Sequence, residues 1–157
     1  MEDGTYCQLI ISKKNKMLFN TSYKNEDYVN ECNRTLGKAY SFLEKLKVGG
    51  VGSRRLIIEE LSPSLKPENM QKTDVHYASI ELRPKGIIIH FSNRLDRYSW
   101  IVPYYLLAIF STQAYSIHSN GQFIKLRKDK NYKENKKFIN KMTGFKSAFL
   151  NLNYKIS

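Results

Sequence analysis

Residues 77–92 read YASIELRPKGIIIHFS, and the way this stretch pairs with itself decides the fold. Two apolar runs flank Arg83-Pro84-Lys85-Gly86. Proline presets φ and glycine frees it, which is turn chemistry, so the segment reads as a β-hairpin. Successive side chains of a strand point to opposite faces. Ile80 and Leu82 therefore share one face, and Glu81 and Arg83 share the other.

The β pattern continues downstream. Residues 93–97 (NRLDR) form a second charged turn, with Asp96 between Arg94 and Arg97 as a surface ion cluster. YSWIV and YYLLAIF follow, separated by Pro103. Proline in sheets is confined to edges, strand starts and bulges, so Pro103 marks a bend. AYSIHS and QFIKLRK make a further hairpin around Asn120-Gly121, the dipeptide best suited to a type I′ turn. Upstream, residues 54–61 (RRLIIEEL) read as a strand. Residues 62–75, with two prolines, form a long polar connection of the kind that is uncommon in compact domains. From Arg54 onward the reading gives roughly seven short strands.

Helical periodicity brackets this array. A closing helix over about residues 131–152 places Phe138, Met142, Phe145, Phe149 and Leu152 on one stripe. Lys133, Lys136, Lys137, Asn140, Ser147 and Asn151 fall opposite. Gly144 costs up to about 1 kcal/mol; each buried Phe contributes roughly 1.5–3 kcal/mol, so the stripe covers the sheet. At the other end, residues 5–20 read as a short hairpin and residues 25–47 as one helix. That helix has Asn25 as N-cap and Val29, Cys32, Leu36, Ala39, Leu43 and Leu46 on one face. Gly49 and Gly50 stop it. The run VGGVGS (48–53) lacks the Gly-Lys-Ser/Thr ending of a phosphate loop and follows a helix rather than opening one.

The expected fold is α+β: a bent antiparallel sheet or partly open barrel with a C-terminal capping helix and an N-terminal hairpin plus helix. The 157 residues suit a single domain, 1–157, in which 1–53 form the N-terminal part and 54–152 the barrel plus helix. With 41% apolar and 13% aromatic residues the chain can build a core.

Charge is uneven. There are 26 Lys+Arg against 14 Asp+Glu, net +12, and residues 122–157 hold ten basic and two acidic side chains. Lys125, Arg127, Lys128, Lys130, Lys133, Lys136 and Lys137 run densely, with Phe123 and Tyr132 among them. Such a field attracts polyanions; a lysine-rich solvated face is the plainer reading of the same residues. These seven are the candidate anion- or partner-binding residues.

Other function classes find little support. His76, His90 and His118 are not at metal-ligand spacing, and HExxH is absent, so no metal and no cofactor is expected. Glu59 and Glu60 are adjacent on a strand and point to opposite faces, and there is no Gly-x-Ser-x-Gly elbow. The chain is thus not read as an enzyme; a pocket grouping His90 or His118 with a carboxylate is the arrangement that would reopen that reading. Cys7 and Cys32 with no CxxC read as free thiols of a reducing, cytoplasmic protein. Leu9–Ile11 is too short for a signal-peptide core. From Tyr98 to Ile124 there is no Asp, Glu, Lys or Arg, yet the strongly apolar part ends at Phe110, too short for a membrane span.

The segments IELRPKGIIIHFS, YSWIVPYYLLAIFS, SIHSNGQFIKLRK and KKFINKMTGFKSAFL, in that order, resemble the bacterial pleckstrin-homology-like domains. The likeness spans about residues 54–152 and includes the Trp100-Ile101-Val102-Pro103 run. It implies a bent sheet plugged by a final helix, and roles in lipid, peptide or assembly binding. The charged turns at Arg83-Lys85 and Arg94-Arg97 then occupy the place of a ligand loop. The functional expectation is a non-catalytic binding module for a protein or anionic surface. The alternative is sequence-nonspecific nucleic-acid binding through the basic C-terminal segment.

Overall fold

The computed structural model describes residues 17–156. Eight strands run β1 (Leu18–Asn20), β2 (Leu56–Leu61), β3 (Tyr77–Arg83), β4 (Gly86–Asn93), β5 (Asp96–Pro103), β6 (Ala108–Ser111), β7 (Tyr115–Ser119) and β8 (Gln122–Leu126). Helices α1 (Glu26–Leu36) and α2 (Phe42–Val48) lie between β1 and β2. Helices α3 (Lys130–Glu134) and α4 (Lys136–Ile156) close the chain. The strands form one antiparallel sheet in the order β1-β5-β4-β3-β2-β8-β7-β6, which does not close. The α+β reading therefore holds. The first limb of the expected hairpin lies outside the described residues; its second limb is β1.

The turns behave as their residues dictate. β3 and β4 pair in register from Arg83↔Gly86 to Ala78↔Phe91. Asn120 (φ 51°) and Gly121 (φ 79°) take the left-handed pair that a type I′ turn needs. Pro103 ends β5, and a 3-10 turn, Tyr104–Leu106, carries the chain around to β6.

Alternation divides the sheet into two faces. Ile80, Leu82, Ile87, Ile89, Phe91, Trp100, Val102, Ile117, Ile124 and Leu126 point inward to the main core. Helix α4 lies over that core through Phe138, Ile139 and Met142, with Phe145 and Phe149 half-buried behind them. The Phe149 and Tyr104 rings are 5.6 Å apart. Lys133, Lys136, Lys137, Asn140, Ser147 and Asn151 are exposed, as the stripe predicted, but Leu152 is exposed too.

Two expected helices are each broken. The helix read over 25–47 stops at Leu36: Gly37 takes φ 78°, and the Leu36 carbonyl accepts from the Lys85 amide. A new helix starts at Ser41, whose capping box with Glu44 satisfies the first amides. The stripe is broken with it. Cys32 and Leu36 are buried on the outer sheet face against Phe19, Ile88 and Ile101, while Val29, Ala39, Leu43 and Leu46 are exposed. The closing helix is interrupted at Asn135. Its Oδ1 accepts from the Arg54 amide (2.8 Å) and its Nδ2 donates to the Asn131 carbonyl (2.8 Å), tying the break to the start of β2. Gly49 (φ 75°) ends α2 in the left-handed conformation, and Lys141 of α4 donates to the carbonyls of Gly49 and Gly50. Among the described residues no helix is long and apolar enough to cross a membrane.

Candidate functional site

Helix α1 covers only part of the outer sheet face. Its apolar residues sit on Ile88 and Ile101; beyond them the cleft-lining positions of β3, β4 and β5 include Tyr77, Ser79, His90, Ser92, Arg97 and Ser99. Register fixes their neighbours. His90 lies between Ser79 and Ser99, and Ser92 is opposite Arg97. Leu56↔Ala78 and Ile57↔Tyr77 bring Arg55 and Tyr77 to the same region. Together with Thr21 and Tyr28 these residues line a cleft of about 450 Å³.

A hydrogen-bonded chain runs from the lining residues Thr21, Ser99 and His90 to Glu81 and Arg83, which lie outside the lining. Arg83 Nε donates to Glu81 Oε1 (3.0 Å). Glu81 Oε2 lies 2.9 Å from His90 Nε2, His90 Nδ1 lies 2.8 Å from Ser99 Oγ, and Ser99 Oγ lies 3.0 Å from Thr21 Oγ1. Burial pushes the Glu81 carboxyl up, but the His90 hydrogen bond and the Arg83 charge outweigh it, and the net position is below the ordinary glutamate value. Burial raises the Tyr28 phenol, with the Cys32 thiol adding to the rise, and burial likewise raises Cys32. Tyr28 and Cys32 are therefore neutral groups, and the lining residues include no carboxylate.

Two cations remain unneutralised. Arg55 and Arg97 are exposed and have no carboxylate partner among the described residues. Arg55 lies over the Tyr77 ring at 5.9 Å. Asp96 makes no ion pair with Arg94 or Arg97 among the described residues; it accepts instead from Ser22 Oγ (3.4 Å), which corrects the ion cluster read from the sequence.

The basic segment is placed elsewhere; none of its seven residues lines the cleft. Lys125 pairs with Glu60 (2.7 Å) and Arg127 with Glu59 (3.8 Å) across β8 and β2. A register shift between Ile58 and Glu60 lets both adjacent carboxylates reach cations of β8, so they do not diverge as simple alternation predicts. Lys128 donates to the Thr112 carbonyl and lies 5.8 Å from the Tyr132 ring centre. Lys130 is 4.0 Å from Glu134. Lys133, Lys136 and Lys137 are exposed, with no carboxylate partner among the described residues. Lys133 thus stands in the last turn of α3 and Lys136 and Lys137 open α4, while the other four have neighbours of their own.

His90 does meet a carboxylate, in the arrangement that would reopen an enzymatic reading. His118 instead packs between Phe110 (5.0 Å) and Phe123 (5.5 Å). Among the described residues no cluster of His, Cys, Asp and Glu is arranged to hold a metal. No family model matches the chain, and neither a curated protein nor a solved structure matches it.

Proposed function

We propose that the protein is a non-catalytic binding module that takes an anionic group of its partner, a carboxylate or phosphate, into the cleft under α1. The observation that carries this is the pairing of two unneutralised arginines, Arg55 and Arg97, with a lining of hydroxyls and imidazole that includes no carboxylate. Guanidinium groups favour bidentate contact with both kinds of anion. Hydroxyls of Ser79, Ser92 and Thr21 supply neutral hydrogen bonds between them.

The Ser99–His90–Glu81 chain has the connectivity of a nucleophile, base and orienting acid. Ser99 is only 1% exposed, however, and its hydroxyl already meets both His90 and Thr21. That supports a rigid floor rather than an attacking group. The run of four strands, three strands and closing helix, with β2 joined to β8, supports the pleckstrin-homology-like reading of residues 54–152. Nucleic-acid binding ranks second, because Lys125, Arg127 and Lys130 already have acidic neighbours.

Thermal unfolding with pyrophosphate, citrate, a phosphopeptide and anionic vesicles tests the reading and separates a free anion from one displayed on a protein or membrane. A ligand that binds the folded state raises the melting temperature. The rise is expected in wild type and not in Arg97→Gln. No rise with any probe would overturn the proposal.

A further inference from the structure

The hydrogen-bonded chain from Arg83 to Thr21 fixes the direction of each of its hydrogens. Glu81 faces Arg83 and His90, and an ionised carboxylate only accepts. Its Oε2, 2.9 Å from His90 Nε2, therefore requires a proton on Nε2. In the neutral ring Nδ1 is then bare. It accepts from the Ser99 hydroxyl (2.8 Å), which uses the one hydrogen that hydroxyl has. Toward Thr21 the Ser99 oxygen can only accept, so the Thr21 hydroxyl donates to it (3.0 Å). With His90 neutral, Thr21 thus presents only lone pairs to the cleft it lines.

A second proton on the ring turns these bonds around without moving a heavy atom. Nδ1 donates to Ser99, Ser99 donates to Thr21, and the Thr21 hydroxyl is free to donate into the cleft. The added charge lies against Glu81, so what reaches the cleft is mainly the reversal of the hydroxyls. Other titratable and charged groups surround the ring. Glu81 and Arg83 stand on β3, Arg97 on β5, and Arg55 just before β2. From α1 come Tyr28, beside Ser99, and Cys32, both neutral. Arg55 and Arg97 oppose the extra proton, and an anion held by them removes that opposition. Histidine is the side chain that changes charge between about pH 5 and 8, where Glu81, set below the ordinary glutamate value, stays ionised.

We infer that His90 is the proton switch of this cleft: its protonation reverses the Ser99–Thr21 relay, gives the cleft a hydroxyl donor, and raises its affinity for an anion as pH falls. The inference rests on the anion-binding reading of the cleft. Coupling is reciprocal, so a bound anion in turn favours the proton.

Calorimetric titration of the full chain with pyrophosphate at about pH 8 and about pH 5.5, against His90→Gln and Ser99→Ala, tests this. Pyrophosphate itself takes up protons over the interval, equally for all three proteins, so the readout is the ratio of wild-type to variant affinity. That ratio is expected to rise about fivefold or more toward acid for each variant. His90→Gln has no ring proton to gain; Ser99→Ala cuts the relay and frees Thr21 at both pH values, with the imidazole and both arginines kept. Circular dichroism checks the fold, and should one variant fail to fold, the other carries the test. A constant ratio for a folded variant would overturn the inference and leave the cleft an anion site. No pyrophosphate binding at either pH would overturn the cleft reading, and the switch with it.

Discussion

Glu81 Oε2 sits 2.9 Å from Nε2 of His90, on the strand beside it. With the Ser99 contact on Nδ1 it engages both ring nitrogens of this cleft-lining residue, and the second carboxylate oxygen is held by Arg83. The carboxyl's folded value lies below its ordinary 4.5. A lowered carboxyl stabilises the fold above its unfolded value and loses that contribution as pH falls through the folded value. Stability should therefore fall from about pH 4.5 downward. Glu81→Gln should flatten that acid limb and cost about 1–3 kcal/mol at neutral pH. Urea unfolding at pH 7, 4 and 3 checks both.

Gly86 has no room for a side chain. A Cβ there would lie 2.5 Å from Leu36 Cδ2 and 2.8 Å from Pro103 Cα, and would also meet the Val102 carbonyl. Leu36 is how α1 docks, so Gly86→Ala should cost at least the roughly 1–3 kcal/mol of overpacking. Adding Leu36→Ala should not restore stability, since the backbone clashes remain. Chemical denaturation of the two variants and the double variant measures this.

Asn120 holds φ 51° in the β7–β8 turn. Asn120→Ala should cost roughly 1–2 kcal/mol, the penalty of a left-handed L-residue, whereas Asn120→Gly should be near neutral. Thermal melts distinguish the two substitutions.

Ser41 caps α2 on both sides of a capping box. Ser41→Ala should destabilise by about 1 kcal/mol. Because α2 buries none of its own residues, the loss should appear as faster local amide exchange in 42–48 rather than as a large shift in global unfolding.

The sheet was legible because its turns are local. Arg83-Pro84-Lys85-Gly86 and Asn120-Gly121 specify their own geometry, and alternation along β3 assigned Ile80 and Leu82 to the core. The helix breaks were less so. Leu36, Ala39 and Leu43 continue a 3–4 spacing straight through Gly37, and periodicity is blind to a carbonyl that bonds to Lys85 instead. The capping box at Ser41–Glu44 was the signal that a second helix begins. At the site, Glu81 and Arg83 were correctly set on the outer face. The convergence of Arg55, His90, Arg97 and Ser99 depends on the pairing of β2, β3, β4 and β5, which no single stretch of sequence contains. A charge run such as 125–137 stands out in sequence whether or not its members already have partners.

Calorimetric titration with pyrophosphate, comparing Arg55→Gln and Arg97→Gln with the triple variant Lys133→Gln, Lys136→Gln, Lys137→Gln, tests the cleft most directly. Each arginine variant is expected to lose about tenfold or more in affinity, and the triple lysine variant to bind as wild type does. Retained binding in both arginine variants, with loss in the lysine variant, would contradict the assignment and move the site to the closing helices.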